Sequence, residues 1–241
     1  MTTESRSRIT ISGIPVEVIR KDIKNLHLAV YPPAGRVRVA APRLMSVAAV
    51  RLAVIFRLTW VKKQRLKFQK QERLPPPEYV TGESHFFRGR RYRLRIISIK
   101  GKPDVRIHRS YIELRTPRAS RYRREAILLK FYREELKKTV APLVEKWAEK
   151  MKLKLPKWGV KTMKTKWGSY SPRTKSVWLN LELAKKPTRC VEYIIVHEML
   201  HSLVPNHGEK FQALMKKYMP DWEAVRRELN RGALGWETWN H

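Results

Sequence analysis

From Val191 to Val204 the chain is apolar on almost every side, and the exceptions are Glu192, His197, Glu198, His201 and Ser202. A stretch of that composition reads as a buried helix. It constrains the fold more than any other segment, because two imidazoles and a carboxylate buried without partners would cost several kcal/mol. Something must satisfy them, and their spacing says what.

Residues 197 to 201 are His, Glu, Met, Leu and His. Helix positions four apart lie about 40° apart in azimuth and about 6 Å apart along the axis, so both imidazoles reach one ion. Glu198 points roughly 100° from His197, outside the ligand set but within reach of a water on that ion. His207 follows after Pro205 and Asn206, residues suited to stopping the helix and turning the chain back. Three neutral nitrogens leave the fourth position of a tetrahedral zinc open, as a catalytic site requires. The expectation is one Zn2+ on His197, His201 and His207, with Glu198 as general base on a zinc-bound water and an amide as the bond hydrolysed. Tyr170, Lys166 and Arg173, from the adjoining hairpin, are candidates for binding substrate or for donating to the transition state.

Bulk properties narrow the setting. The 241 residues are 42% hydrophobic, enough to bury one large core or two small ones. The single cysteine, Cys190, excludes an internal disulfide and a Cys-based zinc knuckle, and reads as a small buried hydrophobe. The most apolar run, Val47 to Val61, is broken by Arg51 and Arg57, so no membrane span is expected. Met1 to Arg8 lacks a signal peptide's apolar core, which makes the cytoplasm the expected location. Lys and Arg number 53 against 21 Asp and Glu, a net charge of +32. That excess suits a polyanionic partner, DNA or RNA, or else a solvated basic surface without a ligand.

Along the chain, Arg8 to Pro42 reads as a small antiparallel sheet, and Ser46 as the cap of a helix running to about Phe68. Phe86 to Ile99 and Val105 to Leu114 are strand-like, and the aromatic and basic mixture of Phe86 to Arg93 reads as aromatics inward and arginines outward, or else as a surface that stacks on and neutralises a single strand. Ser120 to Lys152 is one long helix or two, with Pro142 expected to kink or split it. Val160 to Tyr170 is expected to pair with Ser176 to Leu181, and Pro187-Thr188 to open the histidine helix. A further amphipathic helix carries Phe211, Leu214, Met215 and Tyr218. His27, His85, His108 and His241 read as structural or surface residues, and Trp236 and Trp239 as a cover over an apolar patch. No internal repeat is evident.

Several of these segments carry a family resemblance. Lys164 to Tyr170, Trp178 to Leu181, Val191 to His201, Asn206 to Gly208 with Phe211, and Pro220 to Trp222 resemble the YgjP-like metallopeptidases, which are related in their catalytic region to the SprT-like zincins. The resemblance implies a zincin fold, a protein or peptide substrate, zinc ligation by His197, His201 and His207, and Glu198 as the base. Lys166 and Tyr170 stand where that family usually has Arg and Cys. The histidine spacing also equals that of metzincins, but Val204 stands where those have glycine. The expected class is α+β: a zincin-like metal-binding helix packed on a small antiparallel sheet in residues 119–241, preceded by a basic β-rich region with one helix in residues 1–118. The rival readings are a zinc hydrolase of a non-peptide substrate and a nucleic-acid-binding protein with a structural zinc.

Overall fold

The computed structural model describes residues 6–31, 34–70, 77–163 and 166–230. The chain forms two units, one within residues 1–75 and the other within residues 76–232.

In the first unit β1 (Arg6–Ile11) and β2 (Ile14–Lys21) form a hairpin around Ser12 and Gly13, whose φ angles of 47° and 74° are those of the tight turn such strands favour. Strands β3 (His27–Tyr31) and β4 (Arg36–Pro42) form a second antiparallel pair. The sheet is mixed rather than antiparallel throughout, because β4 lies parallel beside β2 in the order β1-β2-β4-β3. Alternation in a sequence marks which face is buried, not which strand becomes the neighbour. Val16, Val18, Val37, Val39 and Ala41 share a core with Val50 and Val54 of α1 (Val47–Ile55) and Val61 of α2 (Leu58–Lys70). Ser46 caps α1 as expected, its Oγ accepting the Ala49 N–H at 3.1 Å. The single helix expected over 46–68 is instead two, interrupted at Phe56-Arg57. Neither residue is a helix breaker, and beyond the break α2 buries Val61 and Phe68.

The second unit opens with the same plan. Strands β5 (Ser84–Phe87), β6 (Arg90–Ser98), β7 (Asp104–His108) and β8 (Tyr111–Thr116) run in the order β5-β6-β8-β7, with β6 and β8 parallel and both outer pairs antiparallel. Arg88-Gly89 forms the same positive-φ turn as Ser12-Gly13, which splits the segment expected as one strand into a hairpin. A serine-capped helix again follows, with Ser120 Oγ accepting the Arg123 N–H at 3.4 Å. A structural repeat is therefore present although the side chains conceal it. The helix, α3 (Arg121–Lys150), continues through Pro142 without splitting. Pro142 lies on its exposed face, while Val140 and Val144 hold the buried one.

The remaining elements build the candidate site. Strands β9 (Lys157–Lys161), β10 (Gly168–Ser171) and β11 (Ser176–Asn180) form a sheet in the order β10-β11-β9. Val160 and Tyr170, expected in one strand, fall in two, and β9 pairs parallel to β11 while β10 pairs antiparallel to it. The small antiparallel sheet expected here is thus a mixed one. Helix α4 (Thr188–Leu200) packs on β10 and β11, and also meets α3, α5 (Glu209–Tyr218) and α6 (Trp222–Leu229). Glu192, the outward polar residue of α4, accepts from Lys146 Nζ at 2.8 Å and Trp147 Nε1 at 2.9 Å, which ties α4 to α3. Among the described residues no helix is long and apolar enough to cross a membrane. Trp236, Trp239 and His241 lie outside the described residues.

Candidate metal centre

Every residue of α4 from Val191 to Leu200 except Glu192 is buried, including His197 and Glu198. His201 caps the helix in right-handed helical conformation, and the chain then turns through Pro205 and Asn206 to the exposed His207. The turn brings the third imidazole back, so that His197, His201 and His207 each offer a ring nitrogen within 4.8 Å of the others. His197 Nε2 and His207 Nε2 are 2.9 Å apart.

These separations bracket the roughly 3.3 Å expected between nitrogens that sit about 2.0–2.1 Å from a tetrahedral zinc. The donor set fits the ion in chemistry as well. His201 with its proton on Nδ1 donates to the Val204 carbonyl at 3.2 Å, which leaves Nε2 free to ligate. Burial holds the His201 pKa below its ordinary value, which favours the neutral ring that a metal needs. Phe211, in the first turn of α5, packs on all three rings, with centroids 4.9 Å from His197, 5.0 Å from His201 and 4.8 Å from His207. Among the described residues no fourth His, Cys, Asp or Glu joins the group.

Glu198 faces the neighbouring strand instead. The Tyr170 main-chain N–H donates to its carboxylate, and the Lys166 charge also favours the ionised form. Burial outweighs both and raises the pKa to about 7. Strand and helix meet closely because Gly168 has no side chain: a Cβ there would lie 2.8 Å from Glu198 Cγ and Oε1 and 2.7 Å from Ile194 Cγ2.

Of the three substrate-binding candidates, Tyr170 reaches Glu198 through its main chain, and Lys166 is exposed with its charge felt at Glu198 and His201. Arg173 lies apart, in the exposed turn between β10 and β11, with no hydrogen bond or ion pair among the described residues. Asn180 enters the sequence reading only as a member of the Trp178–Leu181 motif, with no role attached. Fully buried, it donates to the carbonyls of Met163 at 3.1 Å and Lys166 at 2.8 Å, and accepts from the N–H groups of Met163 and Glu182. It thereby fixes the segment that delivers Lys166 and begins β10. Gly168 and Phe211 are visible in the sequence only as members of motifs.

A family model described as the YgjP-like metallopeptidase domain matches residues 24–232. Two solved structures resemble parts of the chain. One is the metallopeptidase zymogen jannalysin of Methanocaldococcus jannaschii, 24% identical, with 36% of this chain and 90% of that chain covered and a TM-score of 0.34. The other is the metallopeptidase zymogen abylysin of Pyrococcus abyssi, 18% identical, with 39% of this chain and 99% of that chain covered and a TM-score of 0.35. Both likenesses are too slight to carry an argument. No curated protein matches the chain. The family match spans most of the sequence, and the chain belongs to the YgjP-like metallopeptidase family.

Proposed function

We propose that this YgjP-like chain is a zinc-dependent peptidase in which His197, His201 and His207 hold one Zn2+ and Glu198 is the general base. Residues 119–241 then form a zincin-like catalytic domain, with α4 as its metal helix. The observation that carries the proposal is the convergence of three imidazole nitrogens beside a buried carboxylate that is not one of them. A zinc ion in that position supplies Lewis acidity, polarising a carbonyl and making water acidic enough to lose a proton near neutral pH.

The chain's own residues do the rest. Glu198 takes the proton from the attacking water and returns it to the leaving amine. The Tyr170 N–H orients its carboxylate, and Gly168 sets its distance from β10. Phe211 excludes solvent from one side of the histidines and holds the three rings in place. Strand β10 is an edge of its sheet, so an extended peptide can add to it through main-chain hydrogen bonds. Lys166 is the donor we favour for stabilising negative charge on the substrate, since its charge acts on both Glu198 and His201. Three ligands rather than four favour catalysis over a structural zinc.

The test is Glu198→Gln. Zinc content is expected to stay at one per chain while peptide cleavage falls by about 10²- to 10⁴-fold, the usual worth of a positioned base. Undiminished cleavage by that variant would refute the assignment.

A further inference from the structure

The outward face of the second unit's four-stranded sheet plays no part in the metal chemistry. Alternation along the strands buries His85, Phe87, Leu94, Ile112 and Leu114. The same alternation turns Phe86, Arg91, Arg93, Arg95 and Tyr111 to the other side. Phe86 therefore departs from the expected pattern of inward aromatics, and it is 38% exposed.

These five side chains are neighbours. Phe86 stands opposite Arg91 in the β5–β6 register, and Arg93 lies between Ser84 and Tyr111. The Arg95 guanidinium sits 3.8 Å from the centroid of the Tyr111 ring. The two carboxylates of this face are already shared: Asp104 meets Arg106 at 2.7 Å and Arg115 at 3.8 Å, while Glu113 meets Arg95 at 3.4 Å and His108 at 3.6 Å. Among the described residues Arg91 and Arg93 have no carboxylate partner, and Arg93 donates to the Gly82 carbonyl at 3.2 Å instead. Residues 84 to 118 hold 11 Lys and Arg against those two acids, and on this face Arg91 and Arg93 are left beside the exposed Phe86 ring.

We infer that this face binds single-stranded nucleic acid, with phosphates on Arg91 and Arg93 and bases stacked on Phe86 and on the Arg95–Tyr111 pair. Alternate residues of a strand are about 6.6 Å apart, so Arg91, Arg93 and Arg95 repeat at nearly the spacing of phosphates in an extended single strand. Rings and guanidinium planes stack on bases only where those are unpaired. A duplex hides its bases, and reading it requires an element that enters a groove, which an open sheet face does not provide. The inference stands or falls independently of the peptidase reading, since none of these residues lies at the histidines.

Fluorescence anisotropy on the full chain tests it, with a labelled oligothymidylate, a duplex of equal length and polyglutamate as the probes. The oligothymidylate is expected to bind at least tenfold more tightly than either of the others. Phe86→Ala is expected to weaken it by about fivefold or more, the worth of one stacked base. Arg91→Gln with Arg93→Gln should flatten the slope of log K against log salt by about 1.4, the equivalent of two single-strand phosphates. Lys154→Gln with Lys157→Gln, which removes equal charge elsewhere in the unit, should leave that slope unchanged. Thermal melting and peptide cleavage of each variant separate loss of this face from loss of the fold. Equal binding of duplex or polyglutamate, no effect in the folded face variants, or no binding at low salt would overturn the inference.

Discussion

A methyl group at Gly168 would meet Ile194 and Glu198 at 2.7–2.8 Å, well inside van der Waals contact. Gly168→Ala should therefore push Glu198 away from the histidines, lowering kcat/KM by about 10²-fold, the effect of a displacement near 1 Å. Zinc content should not change, and kinetics run beside metal analysis check both halves. Asn180→Leu strands the Met163 and Lys166 carbonyls, for an expected loss of about 2–4 kcal/mol in urea unfolding. The convergence of the three histidines is legible in the sequence, because ionisable groups in an apolar helix need a partner and a spacing of four followed by a turn brings the rings together. The roles of Gly168, Asn180 and Phe211 are not, although all three fall in segments that carry the family resemblance. Each acts through contacts between different elements, which no single segment displays.

Among the elements, helices are easier to read than sheets. The N-terminal ends of α1 and α3 follow from Ser46 and Ser120, and the buried Leu136, Val140, Val144 and Trp147 of α3 from their helical spacing, which however picks Ile127 and Phe131 where Leu128 and Tyr132 are the buried residues. Strand partners do not follow, because β4 and β8 each insert beside a parallel neighbour and β9 and β10 flank β11 from opposite sides. Pro142 misleads in the other direction, since packing of Val140 and Val144 carries α3 through it. Pro142→Ala restores a helix N–H on an exposed face and should raise the stability by about 1–3 kcal/mol, read from the thermal midpoint. Cys190, at the start of α4, has its pKa pushed up to about 12 by burial, with Glu228 nearby adding to the effect. Only the thiolate reacts, so iodoacetamide at pH 8 should label it slowly in the native chain and rapidly in urea. Because the folded pKa is the higher one, folding retains the thiol proton between about pH 9 and 12, and this contribution to stability is lost as pH rises through that range. Rapid native labelling would place Cys190 outside the core.

For the whole molecule, the net charge of +32 and the proposed zinc site concern different parts. The charge is carried on surfaces such as the β5–β8 face, while the proposed zinc site is the cluster of three histidines in the second unit. Zinc binds only the folded arrangement, so free zinc at a hundred times its dissociation constant should add about 2.7 kcal/mol to stability. A chelator should remove that increment, and His207→Ala should make the melting midpoint insensitive to both. The most direct measurement is X-ray absorption at the zinc edge on the full chain loaded with one equivalent of the metal. The expected spectrum has three imidazole nitrogens at about 2.0–2.1 Å and one oxygen from solvent. A sulfur shell, a fourth imidazole, or zinc that does not bind at one equivalent would contradict it.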